Sequence, residues 1–308
     1  MSKNPSQQSE LETLLAISSG LNTDGGNERV KRVIHQLLHD LCHTIKTFDI
    51  SDEEFWIAVN YLNELGERKE AALLAAGLGL EHYLDMRADE KEAASVSRAG
   101  TPRTIEGPLY VANAPLSDHF ARMDDGSERA EAMWLHGTVT DIDGKPVAGA
   151  IVDIWHANTH GGYSFFDPSQ PEYNLRRRVK TAADGSYAVR SIVPCGYGCP
   201  PDGPTQKLLN ELGRHGNRPA HIHFFVSAPG FKHLTTQINL NGDRYLWDDF
   251  AFATREELIA DPVKVTDSTL ARERDIHEPH TEVSFSFTLV KAAGAEEEAR
   301  VKRARVKE

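Results

Sequence analysis

The chain has 308 residues, enough for one large domain or two smaller ones, and its 40% apolar and 26% charged residues are typical of a globular protein. Its formal net charge of −12 argues against nucleic acid as a partner, because nucleic-acid binding needs a basic face. No run of about 18 apolar residues predicts a membrane span, the polar start MSKNPSQQSELE has no secretory signal, and three cysteines are too few for a disulfide framework, so the expected compartment is the cytoplasm.

The N-terminal region is predicted to be helical. Ser9 and Glu12 fit a capping box ahead of an apolar stripe, and residues 22–27 (NTDGGN) indicate a turn. The next helix is predicted from apolar residues at helical spacing: Val30, Val33, Ile34, Leu37, Leu38 and Leu41. Amphipathic helices of this kind need a partner surface, either the rest of the chain or another subunit.

Two further helices are predicted before the pattern changes. Ser51 and Glu54 form a second capping box, and Gly66 is predicted to end the helix that follows it. Residues 67–86 predict another helix, which is apolar nearly all round and is therefore expected to be buried. Residues 89–100 are polar and rich in Ala and Ser, and we interpret them as a linker.

The sequence after the linker is typical of an all-β domain. Asp-Gly and Asn-Gly turn signals at 143–144, 184–185 and 241–242 separate short alternating runs, namely WLHGTVTD, AIVDIWHA, SYAVRSIV, AHIHFFVSA, LTTQINL and EVSFSFTLV. Many short strands between turns predict a β-sandwich or barrel. The predicted organisation is a helical region over 1–100, a β domain over 101–290 and a charged tail over 291–308.

The segment RPAHIHFFVSAPGFKHLTTQ, residues 218–237, contains the clearest functional pattern. Side chains on a strand alternate between two faces, so His221 and His223 are predicted to project together, opposite Ile222, Phe224 and Val226. Imidazole is the commonest metal ligand in proteins. Two imidazoles side by side would make half of a metal site, although two hydrogen-bonded histidines on a half-buried strand would give the same pattern.

The residues alone leave the remaining ligands open. Tyr163 follows a predicted strand, and Tyr197 lies in a loop rich in Gly and Pro. Cys195 and Cys199 flank Tyr197, and two thiolates with two imidazoles would form a zinc tetrahedron. That alternative would leave Tyr197 between the cysteines without a role.

Five segments carry a resemblance to a known family: PRTIEGPLYV (102–111), DIWHANTHGGYSFFD (153–167), YNLRRRVKT (173–181), RSIVPCGYGCPPDGPTQ (190–206) and GRHGNRPAHIHFFVSAPGFKHLTTQINL (213–240). On these the chain resembles the intradiol ring-cleavage dioxygenases, and among them most closely the catechol 1,2-dioxygenases. The resemblance extends over nearly the whole chain, including the helical segment AALLAAGLGLEHYL. It implies a mainly β fold with α: a β-sandwich catalytic domain preceded by an N-terminal helical region that forms a homodimer interface, where a phospholipid is often held.

The resemblance also implies the chemistry. A non-haem ferric ion, Fe(III), would be held by two tyrosinates and two histidines, which correspond to Tyr163, Tyr197, His221 and His223. Phenolate oxygen suits a hard Lewis-acidic cation better than thiolate does. Catechol and O2 would be the substrates and cis,cis-muconate the product, in the degradation of aromatic compounds through the β-ketoadipate pathway.

Further roles follow from the same resemblance. Tyr197 would accept a proton from catechol, Arg218 would stabilise developing negative charge, and Gln237 would orient Arg218 or the oxygen species. The ring pocket would be lined by Leu73, Ala76, Ile105, Pro108, Leu109 and Tyr110. By contrast, we interpret the run Arg176–Arg177–Arg178 as a solvated or carboxylate-paired basic patch.

Three alternatives stay open at this point. Hydroxyquinol and chlorocatechol 1,2-dioxygenases share the iron ligands and differ around the ring pocket. A zinc hydrolase would use the cysteines and histidines instead, and a non-catalytic β-sandwich could carry a metal for structure alone.

Overall fold

The computed structural model describes residues 5–93, 100–276, 279–292 and 294. By its internal contacts the chain divides into two compact units, Met1–Glu64 and Leu65–Glu308. The boundaries predicted at 100/101 and 290/291 follow the change from helical to strand-rich sequence and remain predictions. Apart from 291, 292 and 294, the predicted charged tail lies outside the described residues.

Three helices begin in the first unit: α1 (Pro5–Ser18), α2 (Glu28–Phe48) and α3 (Asp52–Arg68). The Ser51–Glu54 capping box is confirmed, because the Ser51 N–H donates to Glu54 Oε2 at 2.8 Å and the Glu54 N–H donates to Ser51 Oγ at 3.3 Å. The capping box at Ser9 is wrong: α1 begins four residues earlier at Pro5, a residue that the first helical turn accepts because it needs no N–H there.

Apolar side chains remain exposed along α2 and α3. Phe48 is 74% exposed and Trp56 is 60% exposed, and the same holds for Val33, Leu37 and Leu41 on the helical stripe of α2. Exposed apolar surface of this extent marks an interaction site in a typical protein. In the described part of the chain, no helix combines the length and the apolarity that a membrane crossing needs.

The second unit begins with a helical segment that differs from prediction. The single helix expected over 67–86 is two helices, α4 (Ala71–Gly77) and α5 (Leu80–Ala93). Gly79 separates them with φ +74°, a left-handed conformation that glycine adopts without steric cost. Gly66 does not end α3, which continues to Arg68 and stops before Lys69 at φ 59°.

The expected burial of this segment is also wrong. Ala76 and Gly77 are buried, whereas Leu80, Tyr83, Leu84 and Met86 are exposed. Because α5 extends to Ala93, the helical structure also continues into the predicted linker, of which residues 94–99 lie outside the described part.

The rest of the second unit is a β-sandwich. Its strands are β1 (Leu116–Asp118), β2 (Phe120–Arg122), β3 (Ala132–Asp141), β4 (Ile151–His156), β5 (Arg176–Lys180), β6 (Ser186–Ile192), β7 (Tyr197–Gly198), β8 (Asn217–Arg218), β9 (His221–Ser227), β10 (Leu234–Leu240), β11 (Ile259–Ala260), β12 (Val263–Val265), β13 (His280–Ser284) and β14 (Phe287–Leu289). Between strands lie α6 (Pro204–Glu211), a 3₁₀ turn (Glu256–Leu258) and α7 (Ser268–Glu273).

Two sheets face each other across the main core. One has the order β1-β5-β4-β9-β10-β11 and the other β12-β13-β3-β6-β2, with β14 also paired to β3. Ile222, Phe224 and Val226 of β9 share this core with Leu135 of β3 and Phe287 of β14. The predicted fold class, mainly β with N-terminal helices, is therefore confirmed.

One predicted strand is divided in the structure. The run EVSFSFTLV forms β13 and β14, which both pair in parallel with β3 and are interrupted at Phe285 and Ser286. There the Ser286 hydroxyl accepts from the Thr138 N–H at 3.1 Å, so a side chain replaces the backbone partner of the ladder. The apolar alternation of the run persists across the break, because Val283 and Phe287 are both buried.

Candidate metal centre

Strand β9 positions the two histidines. It lies between β4 and β10, with His223 opposite Trp155 on one side and Gln237 on the other. Ile222, Phe224 and Val226 point into the sandwich core, as the alternation predicts, and the two imidazoles lie on the opposite face. Their Nε2 atoms are 3.1 Å apart.

Two tyrosines complete the group. Tyr163 lies in the loop after β4, and Tyr197 lies in β7, which pairs with β8. Tyr163 Oη is 3.3 Å from Tyr197 Oη, which in turn is 3.4 Å from His221 Nε2. We call Tyr163, Tyr197, His221 and His223 the Tyr/His cluster.

A glycine turn allows the two tyrosine-bearing segments to approach. Gly161 has φ +81°, and a Cβ at this position would collide with the side chain of Tyr197. The side chain of Asn158 accepts from the N–H groups of His160 (3.0 Å) and Gly162 (2.8 Å), which holds the loop ahead of Tyr163. The local sequence NTHGGY therefore presents Tyr163 to Tyr197.

Burial favours the neutral form of both histidines. Burial, followed by the nearby charge of Arg218, lowers the pKa of His221 to about 3. Burial also lowers the pKa of His223 well below its ordinary value, with His221 and Arg218 adding to the effect. His221 Nδ1 is 2.7 Å from the carbonyl oxygen of Pro219. Because a carbonyl only accepts, Nδ1 carries the hydrogen and Nε2 presents its lone pair to the cluster.

The phenols respond to burial in the opposite direction. Burial raises the pKa of Tyr163 well above its ordinary value, and the neighbouring Tyr197 raises it further. Burial also raises the pKa of Tyr197, while the charge of Arg218 opposes this rise. A buried phenol pair ionises only where a strong positive charge stabilises phenolate, and a bound metal ion supplies such a charge.

The residues present fit a ferric ion. Two phenol oxygens and two imidazole lone pairs converge, and ligand atoms that share an ion at about 2.1 Å lie about 3 Å apart, as these do. Hard oxygen donors with imidazole suit iron. Within the described residues no three His, Cys, Asp or Glu side chains come together to hold a metal. Cys195 Sγ contacts Asn158 O at 3.6 Å and Cys199 packs in an apolar cluster, so the zinc tetrahedron is not formed.

Arg218 is buried beside the Tyr/His cluster. The residues around it in the sequence do not by themselves predict this burial. Its Nη1 donates to His221 Nε2 at 2.9 Å, and its Nη2 donates to Gln237 Oε1 at 2.8 Å. The same guanidinium forms a two-bond pair with Asp249, from Nε to Oδ1 at 3.1 Å and from Nη2 to Oδ2 at 3.0 Å. Burial would lower the pKa of Arg218, but the charge of Asp249 raises it above its ordinary value.

Sequence reasoning missed Asp249. The residue follows 31 positions after Arg218 in the segment WDDFAFA, where nothing distinguishes it from the adjacent Asp248. The available signal was the apolar pair that follows it, because Phe250 and Ala251 are buried and bring the carboxylate inward. Burial opposes ionisation of Asp249, and the Arg218 charge still lowers the pKa of its carboxyl.

The predicted pocket residues fall into three places. Leu73, Ala76 and Ile105 meet in one apolar cluster, which also contains Phe250. Leu109 packs against a second, aromatic cluster. Pro108 follows Gly107. A Cβ added to Gly107 would lie 3.6 Å from Cε1 of His223, so the turn at Gly107 and Pro108 faces the strand that carries the two histidines.

Tyr110 sits deeper than a pocket wall needs. Its ring packs against Trp155 (4.9 Å between centroids) and Phe225 (4.5 Å), and its hydroxyl donates to Asp153 Oδ2 at 2.8 Å. Trp155 in turn stacks on His223 at 4.9 Å with an interplanar angle of 4°. Tyr110 therefore packs against the indole on which the ring of His223 is stacked.

Arg176 differs from the interpretation of a solvated basic patch. Its side chain is buried, with 1% of the residue exposed, whereas Arg177 and Arg178 are half-buried. Its guanidinium carbon lies 5.7 Å from the ring centroid of Tyr163. Arg176 is the first residue of β5 and lies opposite Trp155 of β4, so its place in the sheet, which the run of charges does not show, determines its burial.

Models of known protein families match both the helical region and the β domain. A dioxygenase family model matches residues 105–291, and a model described as the catechol dioxygenase N terminus matches residues 27–95. A catechol 1,2-dioxygenase from Acinetobacter baylyi is 54% identical over 92% of this chain and 92% of its own length. The crystal structure of catechol 1,2-dioxygenase from Pseudomonas arvilla C-1 superposes with a TM-score of 0.92 at 54% identity, covering 96% of each chain.

More distant relatives carry other substrate names. A hydroxyquinol 1,2-dioxygenase from a Rhizobium species is 35% identical over 81% of this chain and 85% of its own length. A chlorocatechol 1,2-dioxygenase from Cupriavidus pinatubonensis is 34% identical over 76% of this chain and 88% of its own length. The similarity is thus clearly higher to the two relatives named for catechol.

Proposed function

The chain belongs to the intradiol ring-cleavage dioxygenases, and is most like the catechol 1,2-dioxygenases, and on that premise we propose that its Tyr/His cluster holds a non-haem Fe(III) ion. As an oxidoreductase of this family, the protein cleaves catechol with O2 between the two hydroxyl-bearing carbons. Both oxygen atoms enter the product, cis,cis-muconate. We assign it to the degradation of aromatic compounds through the β-ketoadipate pathway, in the cytoplasm.

The observation that carries the metal proposal is the convergence of two phenol oxygens and two imidazoles at one point, where Tyr163, His221 and His223 are buried and Tyr197 is half-buried. A ferric ion held by these four residues would supply the Lewis acidity that favours loss of the catechol protons. We propose that Tyr197, as a phenolate, takes one of the two catechol protons; its Oη lies between Tyr163 Oη and His221 Nε2.

We propose that Arg218 stabilises the negative charge that develops in the reaction and that Gln237 orients Arg218. The Nη1 group of Arg218 points at the cluster, and its positive charge is fixed in advance for the negative charge that develops on the reacting ring and oxygen. Gln237 accepts from Nη2 of Arg218 and donates to Asn239 Oδ1 at 2.7 Å, so its amide orientation is set on both sides. We assign Gln237 the orientation of Arg218.

The ring of catechol is proposed to rest on the apolar cluster of Leu73, Ala76 and Ile105, with the turn at Pro108 and Leu109 as a further wall. Tyr110 is proposed to act on this pocket through Trp155 and His223, because its own hydroxyl is bonded to Asp153. Helix α4 thereby contributes directly to the catalytic unit.

The visible absorption spectrum tests the metal proposal. We expect the purified protein to be red, because tyrosinate bound to Fe(III) gives a broad charge-transfer band, and we expect anaerobic catechol to shift that band to longer wavelength. Removal of iron by a chelator after reduction should abolish both the band and the turnover, and added iron should restore them. A colourless, active protein that contains zinc would contradict the proposal.

We also propose a homodimer through the N-terminal helices. The exposed apolar side chains of α2 and α3 supply the surface, and a phospholipid acyl chain would be compatible with the same side chains. Light scattering at micromolar concentration should give twice the chain mass of 34.2 kDa. The variant Leu37→Glu/Leu41→Glu should lower this mass toward that of one chain, whereas a parent protein that is already monomeric would refute the interface.

A further inference from the structure

Arg176 carries a buried positive charge without a carboxylate partner in the described residues. Its Nε donates to Ser164 Oγ at 2.9 Å, and its Nη2 donates to the carbonyl oxygens of Leu109 (2.8 Å) and Ser164 (3.1 Å). All three acceptors are neutral. Its Nη1 is buried and has no hydrogen-bond partner among the described residues.

Such a charge is costly to bury. Buried guanidinium groups in proteins are ordinarily compensated by a carboxylate, as Arg218 is by Asp249. The ring centroid of Tyr163 lies 5.7 Å from the guanidinium carbon of Arg176. A phenolate at Tyr163, held by a bound iron ion, would supply the missing counter-charge.

The bonds of Arg176 also tie together two segments around the Tyr/His cluster. Ser164 directly follows Tyr163, so two of the three bonds hold the chain beside that ligand. Leu109 belongs to the turn that begins at Gly107, next to the ring of His223. The guanidinium carbon lies over the ring of Tyr163, 5.7 Å from its centroid.

We propose that Arg176 is a positioning residue for the metal: its hydrogen bonds fix the Tyr163–Ser164 segment against Leu109, and its charge stabilises Tyr163 as the iron-bound phenolate. This proposal rests on the iron-binding function above. It assigns to one residue two separable contributions, a geometric one from the fork of donors and an electrostatic one from the charge.

Three substitutions separate these contributions. Arg176→Lys keeps a positive charge and loses the planar set of guanidinium donors. Arg176→Gln loses the charge and keeps an amide donor. Arg176→Met loses the charge and all of the donors. A positive charge beside phenolate lowers the energy of the electrons that it donates to iron. We therefore expect the charge-transfer band of the Gln and Met variants to move to longer wavelength, and that of the Lys variant to stay near the parental position.

Iron retention gives a second measurement. Residues that support metal ligands typically change metal affinity by about 10- to 100-fold when they are replaced. We expect all three variants to lose iron at least about tenfold more readily than the parent in competition with a chelator. Arg177→Met is the matched control, because Arg177 is the next residue and, in the part of the chain that the structure describes, donates to the carbonyl oxygens of Tyr173 and Arg176 alone. It should keep the parental band and iron affinity.

The melting temperature of the metal-free protein separates this role from a merely structural one. Arg176→Met removes a costly buried cation but also leaves the carbonyl oxygens of Leu109 and Ser164 without this donor, and because the two effects oppose each other the variant should melt near the parental temperature without iron. A Met variant with a lower metal-free melting temperature and an unchanged band would overturn the proposal. If that variant does not fold, Ser164→Ala provides the test, because it removes one acceptor of Arg176 and keeps the charge. It should weaken iron retention and leave the charge-transfer band in place. Parental iron retention in Ser164→Ala would refute the proposal that these hydrogen bonds position the metal ligand.

The failure of this proposal differs from a failure of the proposed function. A colourless parent protein after iron loading would contradict iron binding by the tyrosines and, with it, the role of Arg176. A red parent whose Gln and Met variants share its band and its iron affinity would contradict the role of Arg176 alone.

Discussion

Tyr163→Phe is expected to reduce the iron content of the purified protein to less than about a tenth and turnover at least about 100-fold, since even residues that only support ligands change these quantities by 10- to 100-fold. The substitution removes one of the two oxygen donors of the Tyr/His cluster and leaves the buried ring in place. Iron content is measured by metal analysis, and turnover by the absorbance of cis,cis-muconate. His221→Ala should have an effect of the same kind, because it removes the lone pair that faces Tyr197 and His223.

Tyr187→Phe is the matched control. Tyr187 is equally buried and lies in β6, in the sheet that does not contain β9, and its hydroxyl donates to the carbonyl oxygen of Phe285 at 2.8 Å. Its loss should lower stability by about 1 kcal/mol, the net contribution of one hydrogen bond, without changing iron content or colour. Parental iron content and turnover in Tyr163→Phe would remove that tyrosine from the metal site.

Strand alternation made the histidine half of the site predictable from sequence. A period of two forces His221 and His223 to one face once Ile222, Phe224 and Val226 are committed to the core, and no longer-range information is needed. The tyrosines are different. Tyr163 and Tyr197 are 34 residues apart, and only the folded turn at Gly161 brings their hydroxyls to 3.3 Å. The resemblance to a family identified them where physical reasoning from the residues could not.

Buried charge was the least predictable feature. Arg176 and Arg177 are adjacent and chemically identical, yet one is buried under Tyr163 and the other lies half-buried against backbone carbonyls. Asp248 and Asp249 differ in the same way, since only Asp249 reaches Arg218. Local sequence patterns do not distinguish such neighbours, because their burial depends on elements that the chain forms elsewhere.

The prediction of helix ends failed for a related reason. Gly66 has the sequence signature of a helix end, but the following residues continue α3 to Arg68. Gly79 carries the same signature within an apolar run and does mark the break between α4 and α5. A glycine permits a left-handed residue and does not impose one. Likewise, nothing in the sequence of α5 shows which of its apolar residues are buried and which are exposed.

Arg218→Ala is expected to lower kcat by about 10²–10³-fold, the usual cost of removing a group that stabilises charge in a transition state. Iron content and the spectral shift with anaerobic catechol should persist, because Arg218 supplies no donor atom to the metal and its Nη1 donates to the same His221 Nε2 lone pair that the metal would take. Stopped-flow and steady-state kinetics measure the loss in turnover, and the spectrum measures the complex that still forms. Parental kcat would remove Arg218 from the reaction.

Asp249→Asn tests whether the orientation of Arg218 matters as much as its presence. The carboxylate holds the guanidinium by two bonds in a pair that is almost completely buried, so its loss leaves a buried cation held by Gln237 and His221 alone. We expect kcat to fall about 10- to 100-fold and stability to fall by about 3–5 kcal/mol. Asp275→Asn is the control, since that carboxylate pairs with Arg190 at 2.8 Å while 94% exposed, and its loss should change neither quantity measurably.

The double variant Arg218→Met/Asp249→Leu separates turnover from stability. Replacing both members of a buried pair by apolar side chains removes the uncompensated charge, so the melting temperature should recover toward the parental value. Turnover should stay as low as in Arg218→Ala, because the positive charge beside the Tyr/His cluster is still missing. Recovery of kcat together with stability would mean that the pair serves the fold only, and that the negative charge of the reaction is stabilised by another group.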